Sequence, residues 1–157
     1  MVESKSTARL FSISRSIVLT QTDTTVGFVS QNKTQLEIIK SRDTSKEFLK
    51  VFSSFKELAF TSLRIPPKHK NTLRRSKRTT FIVKSRAFRI AQYPSNSQIL
   101  RDLKWNYSTS ANERSKNFVF SFCEDKADII IEDKNGLREN SSSHLIKINN
   151  LKKVRIR

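Results

Sequence analysis

The chain has 157 residues, the length of one domain, and its 36% of hydrophobic residues, with 11 Phe, suffice for a buried core. A single Cys excludes a disulfide within the chain, and the two His, far from it in sequence, argue against a zinc site. The formal net charge of +17 indicates an anionic partner, and no apolar run approaches the ~20 residues of a membrane span. We therefore expect a cytoplasmic protein with no membrane segment and no metal cage built from its own side chains.

The first part of the chain predicts an extension, a strand and a loop. Residues 1–16 mix charged and hydroxyl side chains with scattered apolar ones, which is typical of a loosely ordered extension before a domain at 17–157. The β-branched run at 16–20 predicts a buried strand. A Thr-rich loop follows at 20–25, and Gly27 allows the chain to bend there.

A helix is predicted next, from about residue 34 to 42. Thr34 and Glu37 have the spacing of a capping box, which satisfies free N–H groups at a helix start. This helix carries Lys40 and Arg42 at its C-terminal end, where cations suit the helix dipole.

The remaining elements alternate between strands and helices. Capping boxes at 54–57 and 95–98 predict two further helices, and Pro66 and Pro67 begin a basic helix of about 67–75. Asn135-Gly136 is a turn signal. Apolar runs predict strands at 48–52, 79–83, 87–90, 105–108, 127–131, 145–148 and 154–156, the one at 127–131 being the clearest buried strand. This alternation without a repeat favours an α/β fold with a mixed sheet.

Positive charge is concentrated in the middle of the chain. No acidic residue occurs between Glu57 and Asp102. This gap contains the cations Arg64, Lys68, Lys70, Arg74, Arg75, Lys77, Arg78, Lys84, Arg86 and Arg89. Such a stretch is typical of a surface that binds a polyanion, so RNA or a nucleotide is the expected partner.

Three short motifs together indicate a nucleotide site. The chain has Gln-Thr-Asp-Thr-Thr-Val-Gly at 21–27, a Lys-x-Arg-x-x-x-Lys cluster at 40–46, and Ser-Thr-Ser-Ala-Asn at 108–112. Cations neutralise phosphate, while short hydroxyls and loop amides bond its oxygens. With two glycines in the whole chain, neither a dinucleotide-binding glycine motif nor a P-loop is possible, so side chains must bind the phosphate.

In this order the motifs resemble the YrdC/TsaC family of threonylcarbamoyl-AMP synthases. That family has Pro-Thr-Glu/Asp-Thr-x-x-Gly, then Lys-x-Arg-x-x-x-Lys-Pro, then Ser-Thr-Ser-Ala-Asn, and the resemblance extends from about residue 17 to 148. It implies one YrdC-like α/β domain, a twisted open mixed sheet with flanking helices and a concave positive surface. Departures include Gln21 and Glu47 at family prolines and Ser-Lys-Arg at 76–78 in place of Pro-Gly-Pro.

The family resemblance implies a nucleotidyltransferase. L-threonine and bicarbonate form a carbamate that attacks the α-phosphate of ATP, giving threonylcarbamoyl-AMP and pyrophosphate, with Mg²⁺ arriving on the ATP. Partner proteins of the threonylcarbamoyl-transfer complex then use the product for tRNA modification. Positioned cations and exclusion of water matter more here than acid–base catalysis, and the resemblance assigns no catalytic acid or base.

Residue roles follow from the same resemblance. ATP and its phosphates are assigned to Lys40, Arg42, Lys46, Ser108, Ser110 and Asn112. Threonine is assigned to Thr22, Thr80, Arg89 and Ser143. For Asp23 the alternatives are an Asx-turn or a contact to magnesium.

Two other functions remain open. A non-catalytic relative would use the basic surface to bind tRNA or rRNA. Carbamoyl transfer to another acceptor, as in the related domain of hydrogenase-maturation proteins, is weaker because further domains accompany that one.

Overall fold

A computed structural model gives the fold and describes residues 13–41, 45, 47–91 and 98–157. Most of the predicted extension, residues 1–12, lies outside the described residues. Residues 13–15 are helical, and Ile13 packs against a small cluster that contains Val18 and Val29. In the described part of the chain, no helix is long and apolar enough to cross a membrane.

The described strands form a single mixed sheet in the order β7-β1-β2-β6-β3-β5-β4-β8-β9. Three neighbouring pairs are parallel (β1 with β7, β3 with β5, β4 with β8), and the other five are antiparallel. The strands are β1 Val18–Gln21, β2 Val26–Ser30, β3 Leu49–Phe52, β4 Thr79–Val83, β5 Arg86–Ile90, β6 Trp105–Ser110, β7 Ile129–Ile131, β8 His144–Ile148 and β9 Lys153–Arg155. The predicted mixed α/β sheet is therefore confirmed.

Short helices connect the strands. They are α1 Lys33–Lys40, α2 Phe55–Ala59, a 3₁₀ turn Pro67–His69 that leads into α3 Lys70–Arg75, α4 Gln98–Asp102 and α5 Phe120–Glu124. The predicted cap of α2 is confirmed, since the Ser54 hydroxyl accepts a hydrogen bond from the Glu57 amide at 3.2 Å. The predicted start of the basic helix at Pro67 is confirmed as well.

The sheet has two unlike faces because successive side chains of a strand point to opposite sides. On one face Phe28 packs with Leu36 of α1, and Phe81 and Phe88 pack with Leu73 of α3. We call this the helix face. On the other face, which we call the cavity face, Arg89 of β5 lies between its register partners Val51 of β3 and Thr80 of β4. The helix face thus carries the two larger apolar clusters, while the cavity face combines polar side chains with the smaller cluster that contains Val18 and Val29.

Helix α1 begins earlier than predicted. Its N-cap is Asn32, whose side-chain oxygen accepts from the Gln35 amide at 3.3 Å, so the capping box at Thr34 was wrong. The helix ends at Lys40 because Ser41 is in the left-handed region, with φ of +44°. Lys40 therefore occupies the helix end, as predicted, and Arg42 lies outside the described residues.

Three other predictions need correction. Gly27 lies inside β2 and does not form a bend, while the turn is at 22–25. The serine tract is also regular structure, because β6 continues to Ser110. The strand predicted as most buried, β7, is an edge strand that pairs with β1 alone, and its Ile130 is 37% exposed.

Candidate functional site

A small polar cavity lies on the cavity face of the sheet. Its volume is about 140 Å³, and its walls come from the β1–β2 turn, β5, β6 and the segment before β8. The lining residues are Thr22, Thr24, Thr25, Gly27, Leu49, Arg89, Ser108, Thr109, Ser110, Ser142, Ser143 and Arg157. Hydroxyl groups and two arginines therefore dominate the cavity.

Arg89 is the centre of a buried network behind this cavity. Its Nη1 donates to Asp23 Oδ1 at 2.8 Å and to the Thr24 hydroxyl at 2.9 Å. Its Nε and Nη2 donate to the Thr80 hydroxyl at 3.2 and 3.0 Å. These bonds use four of the five N–H donors of the guanidinium. Arg89 thus positions side chains from two segments, the β1–β2 turn and β4, and its fifth donor has no acceptor among the described residues.

The Thr80 hydroxyl connects Arg89 to Ser143 through hydrogen bonds. Thr80 Oγ1 accepts both Arg89 bonds, which occupies its lone pairs, so its own proton must go to Ser143 Oγ at 2.9 Å. Ser143 then accepts one bond and its proton has no acceptor among the described residues. Because hydrogen bonds in a chain polarise one another, Ser143 presents a strengthened O–H donor at the cavity wall.

The Thr22 hydroxyl forms its hydrogen bonds within the β1–β2 turn. Thr22 Oγ1 donates to the Thr25 carbonyl at 2.6 Å and accepts from the Thr24 amide at 3.2 Å. The Thr24 hydroxyl therefore donates to Thr22 Oγ1, also at 3.2 Å. Thr22 lines the cavity, but its hydroxyl holds the turn and has no proton left for a ligand.

Asp23 is an ion-pair partner of Arg89, not the cap of an Asx-turn. The two side chains are each 7% exposed, and the N–O distance is 2.8 Å. The second carboxylate oxygen, Oδ2, is buried without a hydrogen-bond partner among the described residues. One carboxylate oxygen of Asp23 is therefore paired with Arg89, and the other has no hydrogen-bond donor among the described residues.

Lys40 joins α1 to the end of the serine tract. Its Nζ donates to the Ser110 carbonyl at 3.1 Å, to the Asn112 carbonyl at 2.6 Å and to Asn112 Oδ1 at 3.0 Å. The Ser110 hydroxyl donates to the same Asn112 oxygen at 2.8 Å. The predicted cation and the predicted hydroxyl tract thus meet, at the Asn112 end of the tract. The other two predicted cations, Arg42 and Lys46, lie outside the described residues.

The structure adds a charged cavity residue that the sequence gave no reason to select. Arg157 lines the cavity, and its Nε donates to the Ser143 carbonyl at 3.2 Å. Backbone bonds from Ile156 and Arg157 to the Leu145 carbonyl, at 2.7 and 3.3 Å, fix its position. Neither Nη group has a bond to the described residues, so Arg157 supplies cationic donors beside Ser143.

The basic stretch lies largely on the surface. Lys68, Lys70, Arg74 and Arg75 are exposed on the 3₁₀ turn and α3, and the Arg74 guanidinium stacks 4.3 Å from the Phe55 ring centroid. Arg89 is the exception in this stretch because it is buried.

No protein-family model matches this chain. No curated protein matches it either. Solved structures show the fold: two structures of Sua5 from P. abyssi, a double variant and a complex with L-threonine, superpose with TM-scores of 0.77 and 0.73 at 17% identity. They are matched over 100% of this chain, and the chain spans 57% and 54% of their length.

Two further structures have the same fold. E. coli YciO has a TM-score of 0.73 at 15% identity, with 96% of this chain and 86% of YciO covered. Full-length HypF in its phosphate- and nucleotide-bound form has a TM-score of 0.71 at 15% identity, over 100% of this chain and 24% of HypF. The chain therefore has the Sua5 and YciO fold, and about a quarter of HypF has the same fold.

Proposed function

We propose that the chain is a diverged member of the YrdC/TsaC family and acts as an L-threonylcarbamoyladenylate synthase. One observation carries this proposal. Four separate segments that the family resemblance selects meet at one cavity: the turn with Thr22, β5 with Arg89, the tract with Ser108 and Ser110, and the segment with Ser143. The shared fold with a Sua5 that has been crystallised with L-threonine supports the same reading.

The cavity suits L-threonine in size and chemistry. At about 30 Å³ per water molecule, its 140 Å³ correspond to roughly four to five waters, the size of a small amino acid. The Ser143 proton and the free Arg157 donors suit a carboxylate, which accepts several bonds and pairs well with a guanidinium. In this assignment Thr80 and Arg89 are positioning residues, because they act through Ser143 and the turn.

The nucleotide would lie outside this cavity, toward Asn112. ATP is too large for 140 Å³. Lys40 and the Ser110 hydroxyl both donate to Asn112 Oδ1, and phosphate oxygens accept the same donors. Arg42 and Lys46 follow Lys40 in the chain, so they are proposed to complete the phosphate site. Mg²⁺ is proposed to arrive on the triphosphate.

The proposed reaction needs positioning more than proton transfer. A carbamate oxygen of N-carboxythreonine bonds to the α-phosphorus of ATP, and the bond from that phosphorus to the β-phosphate bridge breaks, releasing pyrophosphate. The chain's cations stabilise the charge on the phosphates, while the small cavity keeps water from the labile carbamate. The product is proposed to serve tRNA modification in the cytoplasm, through partner proteins of the threonylcarbamoyl-transfer complex.

The test is pyrophosphate release with ATP, bicarbonate and L-threonine, in wild type and in Arg157→Gln. Losing a charged hydrogen bond to the carboxylate, worth about 1.5–3 kcal/mol, is expected to lower kcat/KM for threonine about tenfold to a hundredfold. Arg155→Gln is the matched control, because Arg155 is exposed two residues away and contacts His144 instead. Release that does not depend on threonine, or equal loss in both variants, would overturn the assignment.

The second candidate is RNA binding without turnover, which the exposed cations of α3 favour. Phosphate contacts make affinity fall steeply with salt. An RNA affinity that falls in this way, in a protein that forms no threonylcarbamoyl-AMP, would favour this candidate.

A further inference from the structure

A second pocket lies on the helix face of the sheet, opposite the threonine cavity. Its volume is about 270 Å³, and it opens between α1 and the segment after α2. Its floor is formed by β3, β5 and β6, which contribute Lys50, Phe88 and Tyr107. These three residues are cross-strand neighbours, because Lys50 pairs with Phe88 on one side and with Tyr107 on the other. We call it the helix-side pocket.

Lys50 is a cation that the described residues surround with rings. Its ammonium lies 3.9 Å from the Trp105 ring centroid and 5.6 and 6.0 Å from those of Phe52 and Tyr107. It has no hydrogen bond and no ion pair among the described residues. Burial lowers the pKa of this ammonium from its ordinary value, because the rings displace water. The three N–H donors of the Lys50 ammonium are therefore partly buried and have no acceptor among the described residues.

Arg86 brings a second cation to the same pocket. Arg86 is two residues before Phe88 on β5, and Phe88 is the register partner of Lys50. Because residues two apart on a strand share a face, Arg86 lies on the same face of the sheet as Lys50. It is exposed and, like Lys50, forms no hydrogen bond or ion pair with the described residues. Both side chains line the same pocket.

The charge of the pocket is positive. Among the described residues, Lys33, Lys50 and Arg86 line it against a single acidic residue, Glu47. Lys33 pairs with Glu37 at 3.3 Å, so Lys50 and Arg86 supply the available charge. Phe52, Phe88 and Leu63 supply apolar wall.

We propose that Lys50 and Arg86 bind the phosphate group of a ring-bearing phosphomonoester of mononucleotide size in the helix-side pocket. The volume corresponds to roughly nine water molecules, far more than a bare phosphate needs, and the apolar wall suits a ring. The phosphate comes either from a free mononucleotide or from the terminal phosphomonoester of an RNA strand. This site is separate from the cavity and does not depend on the proposed synthase activity.

Trp105 makes the test specific, because it is the only Trp of the chain and it contacts Lys50. The purified full chain is titrated with AMP, with inorganic phosphate and with a single-stranded oligoribonucleotide that carries a 5′-phosphate, while Trp fluorescence is followed. We expect a saturable change with AMP and a weaker one with inorganic phosphate. Arg86→Gln leaves the contact between Lys50 and Trp105 in place, so its starting emission should match wild type while AMP affinity falls about tenfold or more.

Lys147→Gln is the control on the opposite face, because Lys147 is an exposed cation of β8 that pairs with Ile82, and it should bind AMP as wild type does in this assay. An oligoribonucleotide response that Arg86→Gln abolishes, with no AMP response, would support the same phosphate site and identify a strand as its source. No saturable change with any probe, or equal affinity in wild type and Arg86→Gln, would overturn the proposal. Since this readout does not use threonine or turnover, its failure leaves the proposed function standing, and the reverse also holds.

Discussion

Arg86 and Arg89 are three residues apart on the same strand, yet they lie on opposite faces of the sheet and differ in almost every physical respect. Arg89 is buried, pairs with Asp23, and donates four hydrogen bonds to protein oxygens. Arg86 is exposed and has no such bond among the described residues. The difference teaches that a cation in a basic stretch serves the fold where protein oxygens surround it and is available to a ligand where they do not.

The largest expected effect tests this contrast directly. Arg89→Met should lower the free energy of unfolding by about 3–5 kcal/mol, because it leaves the Asp23 carboxylate buried without its cation. Arg86→Met, the matched change on the exposed face, should alter it by about 0.5 kcal/mol or less. Urea unfolding of both variants measures the two values. Equal losses would show that Arg89 is no more structural than Arg86.

A double variant separates the ion pair from other effects. Removing both charges, with Arg89→Met and Asp23→Asn together, leaves no unpaired buried ion. We expect the double variant to be more stable than Arg89→Met alone. If it is less stable, the loss in the single variant has a cause other than the stranded carboxylate.

The next effect compares the two glycines of the chain. Gly27→Ala would place a methyl group 2.9 Å from the Thr109 carbonyl oxygen and 3.0 Å from the Thr22 methyl carbon, both in the cavity wall. We expect a loss of about 1–3 kcal/mol from overpacking, together with a higher KM for threonine. Thermal unfolding and the pyrophosphate assay measure these two quantities.

Gly136→Ala is the control for this change. Gly136 has φ of +67° and nothing within 4 Å of an added methyl group, so its cost is backbone strain of about 1–2 kcal/mol. Its KM for threonine should stay at the wild-type value. A KM that rises equally in both variants would mean that Gly27 does not shape the cavity.

Sequence patterns predicted most strands because the signal is local. The run at 79–83, for example, is apolar and β-branched, and it forms β4. Caps were harder to predict, since both Asn32 and Thr34 suit a helix start and only the end of β2 at Ser30 decides between them. Whether a strand lies at the edge of a sheet depends on distant segments and not on its own residues. The apolar run of β7 therefore predicted a buried strand, although β7 lies at the sheet edge.

The candidate site shows the same limit. The family resemblance selected Thr80, Arg89 and Ser143, but nothing in the sequence shows that Arg89 donates to Thr80 and Thr80 to Ser143, across 63 residues of chain. Arg157 belongs to no motif. It reaches the cavity because β9 pairs with β8 and the backbone beyond it bonds to the Leu145 carbonyl. The sequence thus indicated candidate residues of the site, whereas the hydrogen bonds among them could be identified only from the arrangement of the strands.

The smallest expected effect concerns Lys50, the partly buried cation of the helix face. Lys50→Met should change the free energy of unfolding by about 1 kcal/mol or less near neutral pH, because the lost contact with Trp105 offsets the relieved desolvation. The pH dependence carries a sign. A lysine whose pKa is lowered by folding binds fewer protons in the folded state, so wild type should gain stability relative to Lys50→Met as pH rises from the lowered pKa toward the ordinary value of about 10.4. Urea unfolding of both proteins across this range measures the difference. If the stability of wild type relative to Lys50→Met instead falls as pH rises, the charged ammonium already has an acceptor. The contrast between the two faces would then not extend to Lys50.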